Sequence, residues 1–432
     1  MTAARIRSAT TRTDDFRYRT PIKFGGAVLD RVTLLTVTMA VEANGQVAIG
    51  ESAMPLGNVW AWPSKERPYD ATLGAMRSLA ETIRHRYETC GIAGHPIEIA
   101  HDLEPEVLRD AGDMPKLAAL VVMSPFDAAL HDGYGKALRR NSYDTYGKDC
   151  LHVKLDHFLG REFHGERLSS YVLPAPRVTL PLYHLVGALD PLTPDDVVVP
   201  VGDGLPETLD EWIVADGLTH LKIKLNGDDL AWDSDRVTTV HRVANETAPE
   251  RDWHYSLDFN ERCQNVAYLI EFLDRLKSES KQAHDRVQYI EQPTARDLKS
   301  NPANRMHDAA KRKPIVIDES LVDLESLHLA RDMGYTGVAF KACKGQSQSL
   351  LLAAAAQKLK LFRCVQDLTC PGASLVHSMG LAARIPGVAA IEANARQYCP
   401  AANAGWEERY PGLFTIRGGV ARTGRLTGLG LG

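Results

Sequence analysis

The sequence predicts a two-part α/β protein: an α+β domain at the N-terminal end, followed by a parallel barrel whose strands are joined by helical crossovers. Three observations carry this. The first is a series of eight short apolar segments: VTLPLYHLV (178–186), HLKIKL (220–225), WHYSLDF (253–259), RVQYIE (286–291), PIVID (314–318), TGVAFK (336–341), LFRCVQ (361–366) and VAAIE (388–392). Between most of them lie stretches of helical character, such as VAYLIEFLDRLKSES and SLHLARDMG. Strand alternating with helix over this length fits a closed parallel sheet better than an open one. The second is VTLLTVTMAVEANGQVAIGESA (32–53), rich in β-branched residues and broken at Asn44-Gly45, a strong hairpin signal. The third is the recurrence of apolar residues at helical spacing from Pro68 to Tyr87 and from Pro115 to Leu138.

These elements divide the chain into an N-terminal α+β domain (1–140), a segment without clean periodicity that reads as a connection or insertion (141–177), the barrel (178–392) and a C-terminal segment (393–432). The 432 residues are 44% hydrophobic and 24% charged, ordinary for a soluble globular protein, and the net charge of -5 gives no basic footprint for nucleic acid. The N-terminal MTAARIRSATTRTDD is too polar for a signal peptide and no apolar run is long enough to span a bilayer. A cytoplasmic protein without a membrane partner is expected. Its seven cysteines are scattered with no CxxC pair, which predicts reduced, mostly buried thiols. Walker, HExxH and dinucleotide-glycine motifs are absent.

HLKIKL bears on chemistry. In a strand, alternate side chains share a face, so Leu221, Ile223 and Leu225 face a covering helix while Lys222 and Lys224 face inward. Buried ammonium groups cost several kcal/mol each unless paired. The counter-charge lies at the ends of later strands, where Asp258, Glu291, Asp318, Lys341, Asp367 and Glu392 recur at about one strand-plus-helix unit. That period gathers them on one rim of a barrel, the rim at which barrel active sites form. One carboxylate ending a strand is ordinarily a helix cap or a solvated turn, and a lysine pair ordinarily a solvated edge face; six polar ends in phase outweigh those readings. Carboxylates without cysteine or paired histidine suit a hard cation, Mg²⁺ best, with Mn²⁺ the alternative.

At these residues the sequence resembles the enolase superfamily, and more closely its muconate lactonizing enzyme subgroup within the mandelate racemase/muconate lactonizing enzyme family. The motifs are Lys222-Ile223-Lys224, Asp258-Phe259-Asn260, Glu291-Gln292-Pro293, Asp318-Glu319-Ser320 and Lys341, with FDAALHDGYGKAL (126–138) leading into the barrel and GLGLG at the end. The resemblance implies a modified TIM barrel, (β/α)7β, under an α+β capping domain closed by the C-terminal segment. It implies Mg²⁺ on Asp258, Glu291 and Asp318, with Asn260 and Glu319 in support. Lys222 would stabilise an enediolate, and Lys224 and Lys341 would trade protons with the α-carbon of a small carboxylate substrate from opposite faces. A lysine crowded by cations and partly desolvated is expected to have a lowered pKa, so that it serves as a neutral base. A homo-oligomer is compatible with this reading.

Two such bases permit racemisation, epimerisation or cycloisomerisation; dehydration of a sugar acid is the alternative. A lysine Schiff-base aldolase would need no metal, and a barrel that binds a ligand without turnover is the reading outside enzymes. The sequence departs from racemases that use a His-Asp pair, since Lys341 and Asp367 stand at those strands and His377 reads as an ordinary helix histidine. It also departs from dipeptide epimerases, having Glu392-Ala393-Asn394 where Asp-x-Asp would hold an ammonium. Substrate-binding candidates are Asp367, Glu392 and Arg396, the last paired with a substrate carboxylate or with Glu392. Two capping loops, RYRTPIKFGG (17–26) and ESAMPLGNVWAWPS (51–64), add Lys23, Trp60 and Trp62.

Overall fold

The computed structural model describes residues 2–24 and 27–432. Near the N-terminus, β1 (Arg5–Phe24), β2 (Ala27–Ala43) and β3 (Gln46–Pro55) form an antiparallel sheet in that order. The β2–β3 register runs from Leu34 opposite Pro55 to Ala43 opposite Gln46. Asn44 and Gly45 turn the hairpin with φ of 52° and 74°, the positive values that match the twist of paired strands. Two helices cover the sheet, α1 (Tyr69–Thr89) and α3 (Lys116–Ala137), and α2 (Pro96–Asp110) packs against both of them. The sequence periodicity predicts α1 and α3 closely but misses α2, which carries a proline, Pro105, within it on its exposed side.

Helix α3 is apolar nearly all round because it is sandwiched between the sheet and the barrel. It lies unusually close to β3: a Cβ on Gly50 would sit 2.0 Å from the Ala129 carbonyl oxygen, and one on Gly133 would sit 2.6 Å from Val41 Cγ2. Only glycine at both positions lets helix and strand backbones approach so far.

All eight predicted barrel strands are present: β4 (Leu180–Val186), β5 (His220–Lys224), β6 (His254–Asp258), β7 (Val287–Glu291), β8 (Ile315–Ile317), β9 (Gly337–Phe340), β10 (Phe362–Val365) and β11 (Val388–Glu392). They are parallel neighbours in sequence order, and β11 closes the ring on β4 through Ile391 opposite Leu182. Helices α4 (Leu209–Asp216), α5 (Leu230–Thr247), α6 (Val266–Glu279), α7 (Leu324–Asp332), α8 (Gln346–Lys358) and α9 (Ala373–Arg384) cross over outside. Several begin at capping residues, as Asp229, Asn265 and Asp323 each accept a backbone N–H of the first turn. The β7–β8 crossover holds only a short helical turn, His307–Ala310. Leu221 and Ile223 pack in the outer core with the helices, whereas Tyr183, Tyr289, Val316, Ala339, Cys364 and Ala390 fill the barrel interior.

The last residues return to the first domain. β12 (Val420–Ala421) adds antiparallel to β4, Leu431 donates its amide to Asp132 Oδ1 at 3.0 Å, and Ser142 donates to the Gly430 carbonyl at 2.6 Å. Gly430 has φ 74°, and a Cβ there would sit 2.1 Å from Asp132 Oδ1.

A buried polar chain joins α3 to the barrel. Asp127 accepts the Ser347 amide at 2.8 Å and the Ser347 hydroxyl at 2.7 Å, and the same hydroxyl lies 2.9 Å from His131 Nε2. Burial holds His131 neutral, well below its ordinary pKa, and brings His95 down to about 3 and His377 to about 4. Such a group stabilises the fold above its unfolded pKa of about 6.5 and loses that contribution as pH falls toward its folded value. Asp127 and Asp367, which burial raises to about 6, offset part of this between about pH 4 and 6. Urea unfolding should therefore show stability declining below about pH 6.5, by up to about 1.4 kcal/mol per pH unit for each uncompensated imidazole. Because Glu291 and Glu319, which burial also raises, offset more of it, the decline is read against His131→Asn, whose profile should be shallower than the parent's; an identical slope would contradict the burial of this ring.

Candidate active site

The carboxyl ends of the strands converge on a buried group of charges. Lys222 is 1% exposed, and its ammonium donates to Glu291 Oε1 at 2.8 Å, Glu392 Oε2 at 3.0 Å and Gln366 Oε1 at 2.8 Å. Asp258 Oδ2 lies 3.1 Å from Lys222 and 2.5 Å from Lys224, and Lys224 also reaches Asn260 Oδ1 at 2.9 Å. Across the mouth, Lys341 pairs with Asp318 Oδ2 at 2.9 Å.

Strand order explains this layout. Asp258 and Glu291 end β6 and β7, and Asp318 directly follows β8, so the three carboxylates occupy three adjacent strands. Lys224 ends β5 on one flank of that arc, and Lys341 follows β9 on the other. In a ring of eight, β5 and β9 are half a turn apart, so the two lysines stand on opposite sides of the opening.

The electrostatics follow from burial working against crowding. Burial works against charge on Asp258, but Lys224 and Lys222 outweigh it and hold this carboxyl well below its usual range. Asp318 behaves likewise, burial being overcome by Lys341 and Lys344, and falls to about 2. Glu291 goes the other way: burial, together with Asp258 and Asp318, pushes it well up in spite of Lys222. Burial opposes charge on Lys222 and Lys341 too, yet the carboxylates raise the pKa of both. The expectation of lysines lowered toward neutrality is thus reversed for these two, because each ammonium is surrounded by acidic oxygens rather than by other cations alone.

The sheet domain reaches into the same place through Trp60. Its indole Nε1 donates to Glu319 Oε1 at 2.9 Å, and its ring lies 4.2 Å from Lys341 Nζ. Glu319 is raised to about 7, first by burial and then by Asp318. Lys344, three residues beyond Lys341 on a single helical turn, bonds the Asp318 carbonyl at 2.6 Å and its Oδ1 at 3.1 Å. The motif predicts no role for Lys344, although spacing of three residues is the signal that puts both ammonium groups on one side. Gln292 is a second residue whose part emerges only here. With φ of 29°, it turns its side chain so that Oε1 accepts the amides of Asp318 and Ser320 at 3.0 and 3.2 Å.

Other candidates lie differently. Lys23 sits at the end of β1, 3.3 Å from Asn226 Oδ1 just beyond β5. The stretch proposed as a loop at 17–26 is strand through Phe24, and Gly25 and Gly26 fall outside the described residues. Glu392 is engaged by Lys222 and by the Asn394 side-chain amide at 3.0 Å. Asp367 is near, but its oxygens accept the amides of Leu368, Cys370 and Asn394 at 2.7 to 2.8 Å. Arg396 is not part of the cluster. It pairs with Asp216 and lies 2.7 Å from His184 Nδ1, not against Glu392, because its short helix directs it over Trp212. Trp62 packs under the Arg67 guanidinium instead of joining Trp60. His377 is a helix residue bonded to Gln346 at 3.0 Å.

Comparison with known proteins agrees with the architecture. A family model described as enolase C-terminal domain-like matches residues 204–432, more than half of the chain. The chain belongs to that family. No curated protein sequence matches it. Among solved structures of the enolase superfamily, muconate lactonizing enzyme from Pseudomonas fluorescens with muconolactone is 16% identical, with TM-score 0.64 over 99% of this chain and 96% of that one. L-Ala-D/L-Glu epimerase from Bacillus subtilis, in a substrate-liganded complex, is 16% identical, with TM-score 0.60 over 90% of each chain. An enolase from Bradyrhizobium with magnesium and mandelic acid is 18% identical, with TM-score 0.62 over 91% of this chain and 88% of that one. At such identities the likeness establishes the modified TIM barrel with its cap. Among the described residues, no helix of this enolase-family chain is long and apolar enough to cross a membrane.

The Trp60–Glu319 bond gives a stability test. Trp60→Phe keeps most of the ring but leaves the buried Glu319 Oε1 with only the 3.5 Å contact to Asn260 Nδ2. Losing a donor to a buried carboxyl costs about 1–3 kcal/mol, to be read as a lower urea midpoint at unchanged slope.

Proposed function

We propose that this protein abstracts the α-proton of a small carboxylate to give an enediolate, which either takes a proton back at the same carbon, giving racemisation or epimerisation, or breaks a ring bond at the neighbouring β-carbon, giving cycloisomerisation. The observation that carries the reading is the pair of buried lysines, Lys224 and Lys341, on opposite sides of the barrel mouth with the acidic arc between them. A planar enediolate held between two such groups is accessible to each on a different face.

Asp258, Glu291 and Asp318 would hold Mg²⁺, with Mn²⁺ as the alternative. The donor chemistry suits a hard cation, since all three groups are carboxylates, and Glu291 Oε2 is buried without a hydrogen-bond partner. Among the described residues, however, no three acidic, histidine or cysteine side chains are gathered closely enough to hold an ion as they stand; their oxygens face the lysines. Small side-chain rotations are part of the proposal. When bound, the cation supplies positive charge that acidifies the α-carbon of a substrate carboxylate and weakens the carboxylates' pull on the neighbouring lysine protons.

The chain's own residues divide the remaining work. Lys222 offers an ammonium to the charge that grows on the substrate carboxylate, and Lys224 and Lys341 move the proton at the α-carbon. Trp60 shields Lys341 from water, and Gln292 fixes the backbone that presents Asp318. On the β10–β11 arc, Glu392 is committed to Lys222 and Asp367 to backbone amides, which supports a substrate without an ammonium group over a dipeptide.

The test is incubation of a pooled carboxylic-acid library with the protein and Mg²⁺ in deuterated water, followed by mass spectrometry. One acid should gain deuterium at its α-carbon without change of formula, and Lys224→Ala should slow that exchange by about 10²–10⁴-fold. Loss of water from the acid would make the protein a dehydratase, and absence of exchange across a broad library would favour ligand binding without turnover.

A further inference from the structure

Between the cap, the barrel helix α9 and the C-terminal segment lies an open-sided cavity of about 500 Å³ that shares no lining residue with the lysine–carboxylate cluster. Ala373, Val376, Leu413 and Leu426 form an apolar floor within a lining that is otherwise largely polar. One wall is Trp406, stacked nearly parallel to Tyr410 at an interplanar angle of 14°. Trp406 lies on bare backbone at the start of α9, where a Cβ on Gly372 would come within 2.8 Å of the indole nitrogen. Glu407 fixes this wall by accepting the amides of Gly412, Phe414 and Thr415 at 2.8 to 3.1 Å.

The charge around this cavity is one-sided. Arg422 and Arg425 line the mouth, exposed, and among the described residues neither has an ion-pair partner; Arg409 meets only the Trp406 and Tyr410 rings, at 5.5 and 5.4 Å. Of the acidic side chains on the wall, Asp132 is consumed by Lys136 and by the Leu431 and Glu51 amides, which leaves Glu51 alone opposite three guanidinium groups. Two buried wall residues also have unmet polar atoms: Ser52 Oγ and His377 Nδ1. Gln346 donates to Tyr146 through its amide nitrogen, so its oxygen faces His377 Nε2 and assigns the proton there. His377 Nδ1 is left as a bare acceptor.

We propose that this cavity is a second binding site, taking a small organic carboxylate with a flat apolar body. The carboxylate would sit in the fork of Arg422 and Arg425, a geometry guanidinium groups match in bidentate fashion, and the flat body would lie along Trp406 above the apolar floor. The site stands apart from the barrel mouth and does not depend on the reaction proposed there.

Benzoate is the probe, titrated calorimetrically into the full-length protein with Mg²⁺ present. Expected is saturable one-site binding with a Kd of about 1 mM or tighter. It should be retained in Lys224→Ala, weakened at least about tenfold in the Arg422→Gln/Arg425→Gln double variant, and lost for the neutral isostere benzamide. Both arginines are exposed, so the double variant should melt like the parent. Absence of saturable binding, an unchanged Kd in the double variant, or loss of binding in Lys224→Ala alone would overturn the proposal.

Discussion

The ammonium of Lys222, taken out of water into the middle of the barrel, is the constraint that the rest of the mouth satisfies. Moving such a charge into the interior costs several kcal/mol, recovered only if acidic and polar oxygens surround it. Here Asp258, Glu291, Glu392 and Gln366 from four different strands supply them within 3.1 Å. Each of those carboxylates is then itself a buried charge in need of partners, and the requirement spreads outward. Asp258 draws in Lys224, while Glu392 draws in Asn394. Further round the ring, Asp318 is met by Lys341 and Lys344. The result is a set of charges none of which could be removed singly without stranding another.

The cap completes this set as well as covering it. Trp60 meets a carboxyl with its nitrogen and an ammonium with its ring, so a residue from the sheet domain belongs to the electrostatic balance of the barrel. Farther out, Asp127 on α3 caps the turn that leads from Lys341 and Lys344 into α8 through the hydroxyl and amide of Ser347. The position of two lysines at the rim is therefore set partly from outside the barrel.

The sequence made the barrel legible because its two signals are local. Alternation in HLKIKL states which residues face inward, and a polar residue at each strand end marks the rim, so strand bounds from β4 to β11 fall within a few residues of expectation. What it left hidden was pairing at long range. Arg396 finds Asp216, 180 residues away, and no local pattern distinguishes that from a bond to Glu392. Trp60 and Trp62 look alike in sequence, but a short helical turn between Asn58 and Ala61 sends only the first toward Glu319. The 17–26 stretch reads as a loop because Pro21 and the glycines interrupt its pattern; pairing with β2 makes it strand through Phe24. Lys pKa direction was equally out of reach, since it depends on how many acidic oxygens gather round each nitrogen.

The amide of Leu431 and the carboxylate of Asp132 meet across 299 residues, with Gly430 pressed against the same side chain. On a ribosome, the helix bearing Asp132 emerges long before its partner does. The cap would be translated first and finished last, waiting through synthesis of the entire barrel for a contact that locks it down. Loop closure over such a separation is slow, and the apolar flank of α3 must be kept from other partners meanwhile. A cap built this way stays open at the Asp132 contact until the whole barrel between the two residues has been made.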